Sequence, residues 1–184
     1  MTNNKGELER NFNEAERLRN SGNFTEAINI FLNILKDNKN FEPALNNIAN
    51  CYFQLNEYAI AEKYYLECLK INENNLTTLN NLGFLHLKNK NFKKSLSIFN
   101  DSFTKDNNQE KVAEKIVYCL TELNLIKEVD NICKKLIKIF PNNKIILSYN
   151  RKNLFKIGKH EEALKAYRKE TGVIELNNDD VNLV

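Results

Sequence analysis

At 184 residues the chain is long enough for one compact domain or for a short array of repeated units, and its length does not decide between them. Hydrophobic residues make up 42% and charged residues 28% of the chain, which excludes a disordered composition. The formal net charge of +3 is small, and no block of Lys and Arg resembles a nucleic-acid-binding arm, so we expect no nucleic-acid partner. The low content of Gly (5) and Pro (2) favours helices joined by short turns over a β-rich domain.

No targeting or membrane signal is visible in the chain. No apolar run approaches the ~18 residues of a membrane span, and the first residues lack the apolar core of a secretory signal. We therefore expect a cytoplasmic protein with no membrane partner. Free cysteines in a reducing compartment are mostly small buried apolar residues. We expect this of Cys51, Cys68, Cys119 and Cys133.

One short pattern recurs along the chain with a constant step of 34 residues. A large apolar residue is followed by a small one three positions later and by another large one four positions after that, as in Tyr58, Ala61 and Tyr65. This spacing is typical of the inner stripe of a helix, and a fixed period of this length indicates a repeat array. The first members of the successive trios are Phe24, Tyr58, Phe92, Ile126 and His160.

The period divides the chain into an array at residues 8–170, a short N-terminal extension at 1–7 and a C-terminal tail at 171–184. Each repeat contains two amphipathic segments of helical length with a polar break between them. The predicted repeats are 8–41, 42–75, 76–109, 110–143 and 144–177.

Two kinds of turn separate the predicted helices. Segments rich in Asn and Asp, or containing Pro141, lie between repeats, where such residues stop one helix and cap the next. Within a repeat, Gly and Asn suit the left-handed conformation that ends a helix. The turns within repeats contain Gly22, Asn56, Lys90, Asn124 and Gly158.

The residue pattern resembles the tetratricopeptide repeat family, whose 34-residue unit alternates large and small apolar residues at fixed places. The resemblance implies an all-α fold, a right-handed superhelix (α-solenoid) of stacked antiparallel helix pairs, with the first helices lining a concave face. It also implies a protein–protein interaction scaffold or adaptor. In the second repeat the resemblance is carried by Leu45, Ile48, Ala49, Tyr52, Tyr58, Ala61, Tyr65 and Cys68.

Departures from the pattern concentrate at the two ends of the array. Asn11 and Glu14 stand where large apolar residues are usual, so we expect that face to be solvated. Asn150 and Arg151 replace the usual Leu and Gly/Ala, so the first helix of the fifth repeat should pack differently. The tail either folds back over the last helix or begins a further domain, through Val173, Ile174 and Leu176.

No constellation of catalytic residues is present in the sequence. His86 lies on the inner stripe of a helix and is expected to be a buried core histidine, and His160 is expected to pack at a solvated edge. No metal-ligand spacing, glycine-rich phosphate loop or nucleophile motif occurs. We therefore predict a protein that is not an enzyme and has no cofactor and no metal.

The first helices of the repeats should supply a groove for a protein or peptide. Amides and ammonium groups there would bond an extended peptide's backbone and carboxylates, and aromatic rings would form pockets for its side chains. The candidate binding residues are Asn46, Asn47, Asn50, Phe53, Asn80, Asn81, Phe84, Lys111, Lys115 and Tyr118.

Part of this face is similar to the two-carboxylate clamp by which one tetratricopeptide subclass holds the C-terminus of a partner. The similarity is partial because Asn46 stands in place of a Lys, and Lys115 in place of an Arg forfeits bidentate contact. The corresponding places are Asn46, Asn50, Asn81, Lys111 and Lys115.

Two other functions stay open at this point. The repeats resemble those that organise substrates or partners for a catalytic domain of transferase or oxygenase type, here lying outside the chain. The last repeat could also associate with another copy of the protein through its apolar edge.

Overall fold

The computed structural model describes the backbone of residues 2–172 and the side chains of residues 6–172. Over this range the chain forms α-helices joined by short turns and no strand, which confirms the predicted all-α class built from helix pairs. Of the predicted tail, Thr171 is the last residue of the final helix and Gly172 follows it, whereas residues 173–184, with Val173, Ile174 and Leu176, lie outside the described residues. The helices are α1 (Thr2–Asn20), α2 (Phe24–Asp37), α3 (Glu42–Gln54), α4 (Tyr58–Ile71), α5 (Leu76–Lys88), α6 (Phe92–Lys105), α7 (Glu110–Glu122), α8 (Ile126–Ile139), α9 (Lys144–Lys156) and α10 (His160–Thr171).

The turns between the two helices of each repeat contain the left-handed residues that the period predicts. Asn56, Lys90 and Asn124 have φ angles of 64°, 56° and 55°, and Gly22 and Gly158 have 86° and 77°. Glycine and asparagine adopt this conformation at little cost, whereas a lysine is strained there. Lys90 is therefore the one residue of this set whose side chain does not suit its backbone.

Asparagines cap two of the helices that begin a repeat, as the Asx-rich segments predict. The Asn75 Oδ1 accepts a hydrogen bond from the Thr78 N–H at the start of α5, at 3.0 Å. The Asn143 Oδ1 accepts one from the Ile146 N–H at the start of α9, at 2.8 Å. Each cap satisfies a backbone donor that has no partner inside its own helix.

The same two asparagines also tie each capped helix to the repeat before it. The Asn75 Nδ2 donates to the Glu42 carboxylate at 3.1 Å, and the Asn143 Nδ2 donates to Glu110 and Glu114 at 2.8 Å each. Glu42 and Glu110 both stand at the first position of a repeat, and Asn75 and Asn143 at the last. The Asn75 amide thus joins the second repeat to the third, and the Asn143 amide joins the fourth repeat to the fifth.

The helices form two compact units, Met1–Lys105 with α1 to α6 and a second unit from Asp106 onward with α7 to α10. In the first unit each helix packs against the next, and the first helices of successive repeats touch, α1 with α3 and α3 with α5. In the second unit α7 packs against α8 and α9, and α9 packs against α8 and α10.

Small residues allow close helix packing in the first unit, as the repeat pattern predicts. A Cβ atom added to Gly83 would lie 2.6 Å from the Phe99 ring, so no side chain fits between α5 and α6 at this point. Ala61 and Tyr65 of the repeated trio are both buried. At the beginning of the array Asn11 and Glu14 are exposed, which confirms the solvated face expected there.

Candidate functional site

A cleft of about 630 Å³ opens on the first unit and is the candidate site. Its walls come mainly from the C-terminal halves of α1, α3 and α5, the first helices of three successive repeats. This arrangement follows from the period, since equivalent positions on stacked helices lie side by side. The cleft is lined by Arg19, Asn20, Phe24, Asn50, Phe53, Gln54, Tyr65, Asn81 and Phe84.

An amide network crosses one wall of the cleft. The Asn81 Nδ2 on α5 donates to the Oδ1 atoms of Asn46 and Asn50 on α3, at 3.2 and 3.0 Å. The Tyr65 hydroxyl on α4 also donates to the Asn50 Oδ1, at 2.5 Å. Burial raises the pKa of Tyr65 well above its ordinary value, so this hydroxyl keeps its proton and its role as donor. The network therefore sets the orientation of both cleft amides, Asn50 and Asn81.

Arg19 supplies the positive charge of the cleft. Its Nη1 donates to the Asn47 Oδ1 at 2.8 Å and its Nη2 donates to the Asn20 Oδ1 at 3.0 Å, with the Glu16 carboxylate 3.8 Å away. Its Nε is buried and has no hydrogen-bond partner among the described residues. A buried donor left unbonded costs about 1–3 kcal/mol, so packing alone gives no reason for a guanidinium here.

Aromatic rings, Phe53 and Phe84 among them, give the cleft apolar surface. The Phe53 ring packs against Tyr58 with centroids 5.6 Å apart, and the Phe84 ring meets Phe99 edge-on at 5.3 Å. Phe84 remains 37% exposed, which is high for so large an apolar residue. Rings held by such contacts offer apolar area to a ligand without losing much conformational freedom when it binds.

The structure brings four of the predicted binding residues together in this cleft, namely Asn50, Phe53, Asn81 and Phe84. Asn46 belongs to the same amide network and lines a neighbouring cleft of about 430 Å³.

Two further predicted residues lie in the packing of the first unit. Asn47 is buried, and its side chain holds Arg19. The Asn80 Oδ1 accepts a hydrogen bond of 2.7 Å from the Ser102 hydroxyl on α6. Both amides thus connect helices, a role that their position on the helix did not distinguish from ligand binding.

The remaining predicted residues, Lys111, Lys115 and Tyr118, lie on α7 of the second unit. Lys111 is exposed, and Lys115 and Tyr118 are half-buried. The asparagines assigned to the carboxylate clamp therefore meet within the first unit, and its two lysines belong to the second. The complete clamp stays a prediction.

Sequence reasoning missed Arg19 and underestimated Tyr65, which was predicted to be purely structural. A signal for Arg19 was present, because it stands 34 residues before Phe53, which was assigned to the groove by position. The first repeat thus carries a cation where the later repeats carry uncharged side chains. The Tyr65 hydroxyl has no comparable signal, since its partner Asn50 is set only by helix packing.

Among the described residues, the buried titratable groups outside the cleft are His86 and the four cysteines. His86 is a core residue as predicted, with its Nε2 3.4 Å from a Glu62 carboxylate oxygen. Burial lowers the His86 pKa, Glu62 opposes this shift and Lys94 adds to it. All the cysteines are buried and free, as expected. Within residues 6–172, no group of three His, Cys, Asp or Glu side chains is placed to hold a metal ion.

Burial also raises the pKa of two thiols, that of Cys51 to about 11 and that of Cys133 to about 12. Thiols with such pKa values are poor nucleophiles at neutral pH.

None of the helices in the described range has the length and apolar character needed to cross a bilayer.

Comparison with known proteins agrees with the repeat geometry. The tetratricopeptide repeat family matches residues 42–75, which hold α3 and α4. The fold matches a crystal structure of the MamA protein with a TM-score of 0.78 at 14% identity, over 96% of each chain. It also matches YrrB, described as a TPR protein with an unusual peptide-binding site, with a TM-score of 0.72 at 16% identity, over 88% of this chain and 84% of that one. At these identities the likeness concerns the fold alone.

One curated relative shares sequence with a part of the chain. Subunit 6 of the anaphase-promoting complex from Dictyostelium discoideum is 37% identical over 73 residues, which is 36% of this chain and 8% of that protein. The chain thus spans a small fraction of this relative's length. The second repeat thus matches the tetratricopeptide repeat family, and the described chain has the fold of solved structures that include a tetratricopeptide repeat protein.

Proposed function

We propose that the first unit binds an extended peptide segment of a partner protein in the cleft lined by Asn50, Phe53, Asn81 and Phe84. The observation that carries this proposal is the state of the two cleft amides. Among the described residues the Asn50 Nδ2 and the Asn81 Oδ1 make no hydrogen bond, while the opposite ends of both amides are held in the network. The pair therefore offers one donor and one acceptor in fixed orientations.

A donor beside an acceptor is what an extended backbone requires. The C=O of one peptide unit accepts from an amide N–H, and the N–H of another donates to an amide oxygen, whatever the side chains are. The Phe53 and Phe84 rings beside these amides supply apolar area for one or two side chains of the segment. The peptide-binding site named for the similarly folded YrrB agrees with this use of the fold.

The proposal is tested by selecting peptides on the protein itself. Random 12-residue peptides displayed on phage are enriched on the full chain, and the strongest is synthesised with a fluorescent label for polarisation measurements. We expect the Phe84→Ala and Asn81→Ala variants to bind this peptide at least about tenfold more weakly, a loss of about 1.4 kcal/mol.

Asn100→Ala is the matched control, because Asn100 is an exposed asparagine on α6 that does not line the cleft. Its affinity for the selected peptide should equal that of the unaltered protein. Peptides that bind all three variants equally well, or a selection that yields none, would remove the cleft from the proposed function.

A further inference from the structure

The charge at Arg19 specifies what kind of segment the cleft takes. Resting on the proposed peptide site, we infer that the cleft selects a segment with an Asp or Glu side chain directly beside an apolar residue. The carboxylate would meet the Arg19 guanidinium, and the apolar side chain would lie against Phe53 or Phe84.

The charge balance of the cleft favours one carboxylate. Arg19 is the only charged residue among those that line it in the described part of the chain. Glu16, 3.8 Å from an Nη atom, weakens this charge without forming a close bidentate pair. A single guanidinium matches the single charge of an Asp or Glu side chain, whereas a phosphoryl group at neutral pH carries nearly two charges and needs more cations.

Packing does not account for an arginine at this position. The equivalent residues of the later repeats are Phe53, Leu87, Thr121 and Phe155, none of them charged, so an uncharged side chain suits this place in the repeat. Arg19 instead buries an Nε with no partner in the described range. Its Nη bonds to Asn47 and Asn20 hold the guanidinium at the cleft wall, with the side chain 25% exposed. The geometry is that of a cation fixed in advance of a ligand.

The stacking of the repeats places the Arg19 guanidinium near the aromatic rings of the cleft. Arg19 and Phe53 occupy the same position in consecutive repeats, on the touching helices α1 and α3. The next wall residue, Phe84, lies on α5, which touches α3. Successive residues of an extended segment rise only about 3.3 Å, so an acidic residue and the apolar residue beside it stay within reach of the guanidinium and of the rings.

The test uses peptides selected on the unaltered chain and then synthesised with an amidated C-terminus. We expect an Asp or Glu beside an apolar residue in the enriched sequences. Replacing that Glu by Gln, or Asp by Asn, should weaken binding to the unaltered protein about tenfold.

Arg19→Gln is the informative variant, since its amide keeps a donor for Asn47 and loses the charge. On this variant the acidic peptide and its amide counterpart should bind equally, and Arg19→Lys should restore part of the difference. Circular dichroism checks that each variant retains its helices. If Arg19→Gln unfolds the unit, the Arg19→Lys variant and the salt dependence of binding to the unaltered protein give the same answer.

The outcomes separate this inference from the proposed function. Peptides that depend on Asn81 and Phe84 but not on an acidic residue would overturn the inference and leave the peptide site standing. Peptides that depend on none of these residues would overturn both. Affinity that is lost on amidation of the C-terminus would also overturn the inference, because the carboxylate recognised would then be the terminal one.

Discussion

The two units of the protein have different side chains at the same helix–helix contact of the repeat. The contact compared is the one between the eighth residue of a repeat, on its first helix, and the twenty-fourth residue of the same repeat, on its second helix. In the first unit a small residue meets an aromatic one at this contact, and all six are buried: Ala15 with Phe31, Ala49 with Tyr65, and Gly83 with Phe99. In the second unit the larger Val117 is matched by the smaller Cys133, both fully buried.

The fifth repeat departs further from this scheme. Its equivalent pair is Arg151 and Tyr167, with the guanidinium carbon 5.5 Å from the centre of a ring that is 47% exposed. Arg151 also forms an ion pair of 2.8 Å with Glu170. In the interior, a small residue at one of these two positions thus accompanies a larger residue at the other. Near the end of the described chain a polar, partly solvated contact replaces the buried one.

The largest difference between the units should appear when the two equivalent tyrosines are truncated. Tyr65→Ala should reduce the free energy of unfolding by about 3–5 kcal/mol, since it leaves a cavity in the core. Tyr167→Ala should cost about 1 kcal/mol or less, because that ring is half exposed and gives up mainly its contact with Arg151. Urea unfolding of both variants measures the difference. Equal losses would contradict the asymmetry between the units.

A smaller effect is expected from filling the closest contact of the first unit. Gly83→Ala should destabilise the chain by about 1–3 kcal/mol, because the new methyl group would lie 2.6 Å from the Phe99 ring. Adding Phe99→Leu should recover part of the loss. Gly6→Ala in α1 is the control, since a Cβ there meets no atom within 4 Å, and it should not destabilise the chain. A neutral Gly83→Ala would mean that the helices separate without cost.

The asparagine links should contribute about equally to the stability of the two units. Asn75→Ala and Asn143→Ala should each cost about 1–2 kcal/mol, since each removes a helix cap and the amide partner of a glutamate. Asn142→Ala, next to Asn143 and exposed, should have little effect. Thermal unfolding of these variants compares their losses of stability. A loss in only one of the two variants would show that the asparagine link does not stabilise both units.

The smallest expected change is a gain. Lys90→Asn should stabilise the chain by about 0.5 kcal/mol, because asparagine tolerates the φ of 56° better than lysine does. Asn56 and Asn124 already occupy the equivalent turns with φ of 64° and 55°. Lys88→Asn, on the exposed last turn of α5, is the control and should not stabilise. A shift of the urea midpoint with unchanged slope measures the gain.

Much of the fold was predictable because the repeat is a local pattern. The 34-residue period identifies the helix pairs, the turn residues and the buried stripe, since helical spacing and turn chemistry depend on near neighbours in the chain. The left-handed turns at Asn56, Lys90 and Asn124 follow from position alone. The same reasoning selected Asn50, Phe53, Asn81 and Phe84, which line the cleft, and with them Asn47, which does not.

Only the tertiary structure decided which polar groups are bonded within the protein and which stay unbonded at the cleft. Asn46, Asn47 and Asn50 look alike on one helix, but their partners are 15 to 35 residues away, on neighbouring helices. The unbonded ends of the Asn50 and Asn81 amides, and the guanidinium of Arg19 at the cleft wall, result from those long-range bonds. A hydrogen bond depends on distance and direction within a few tenths of an ångström, and a residue's position in a repeat does not specify either to that accuracy.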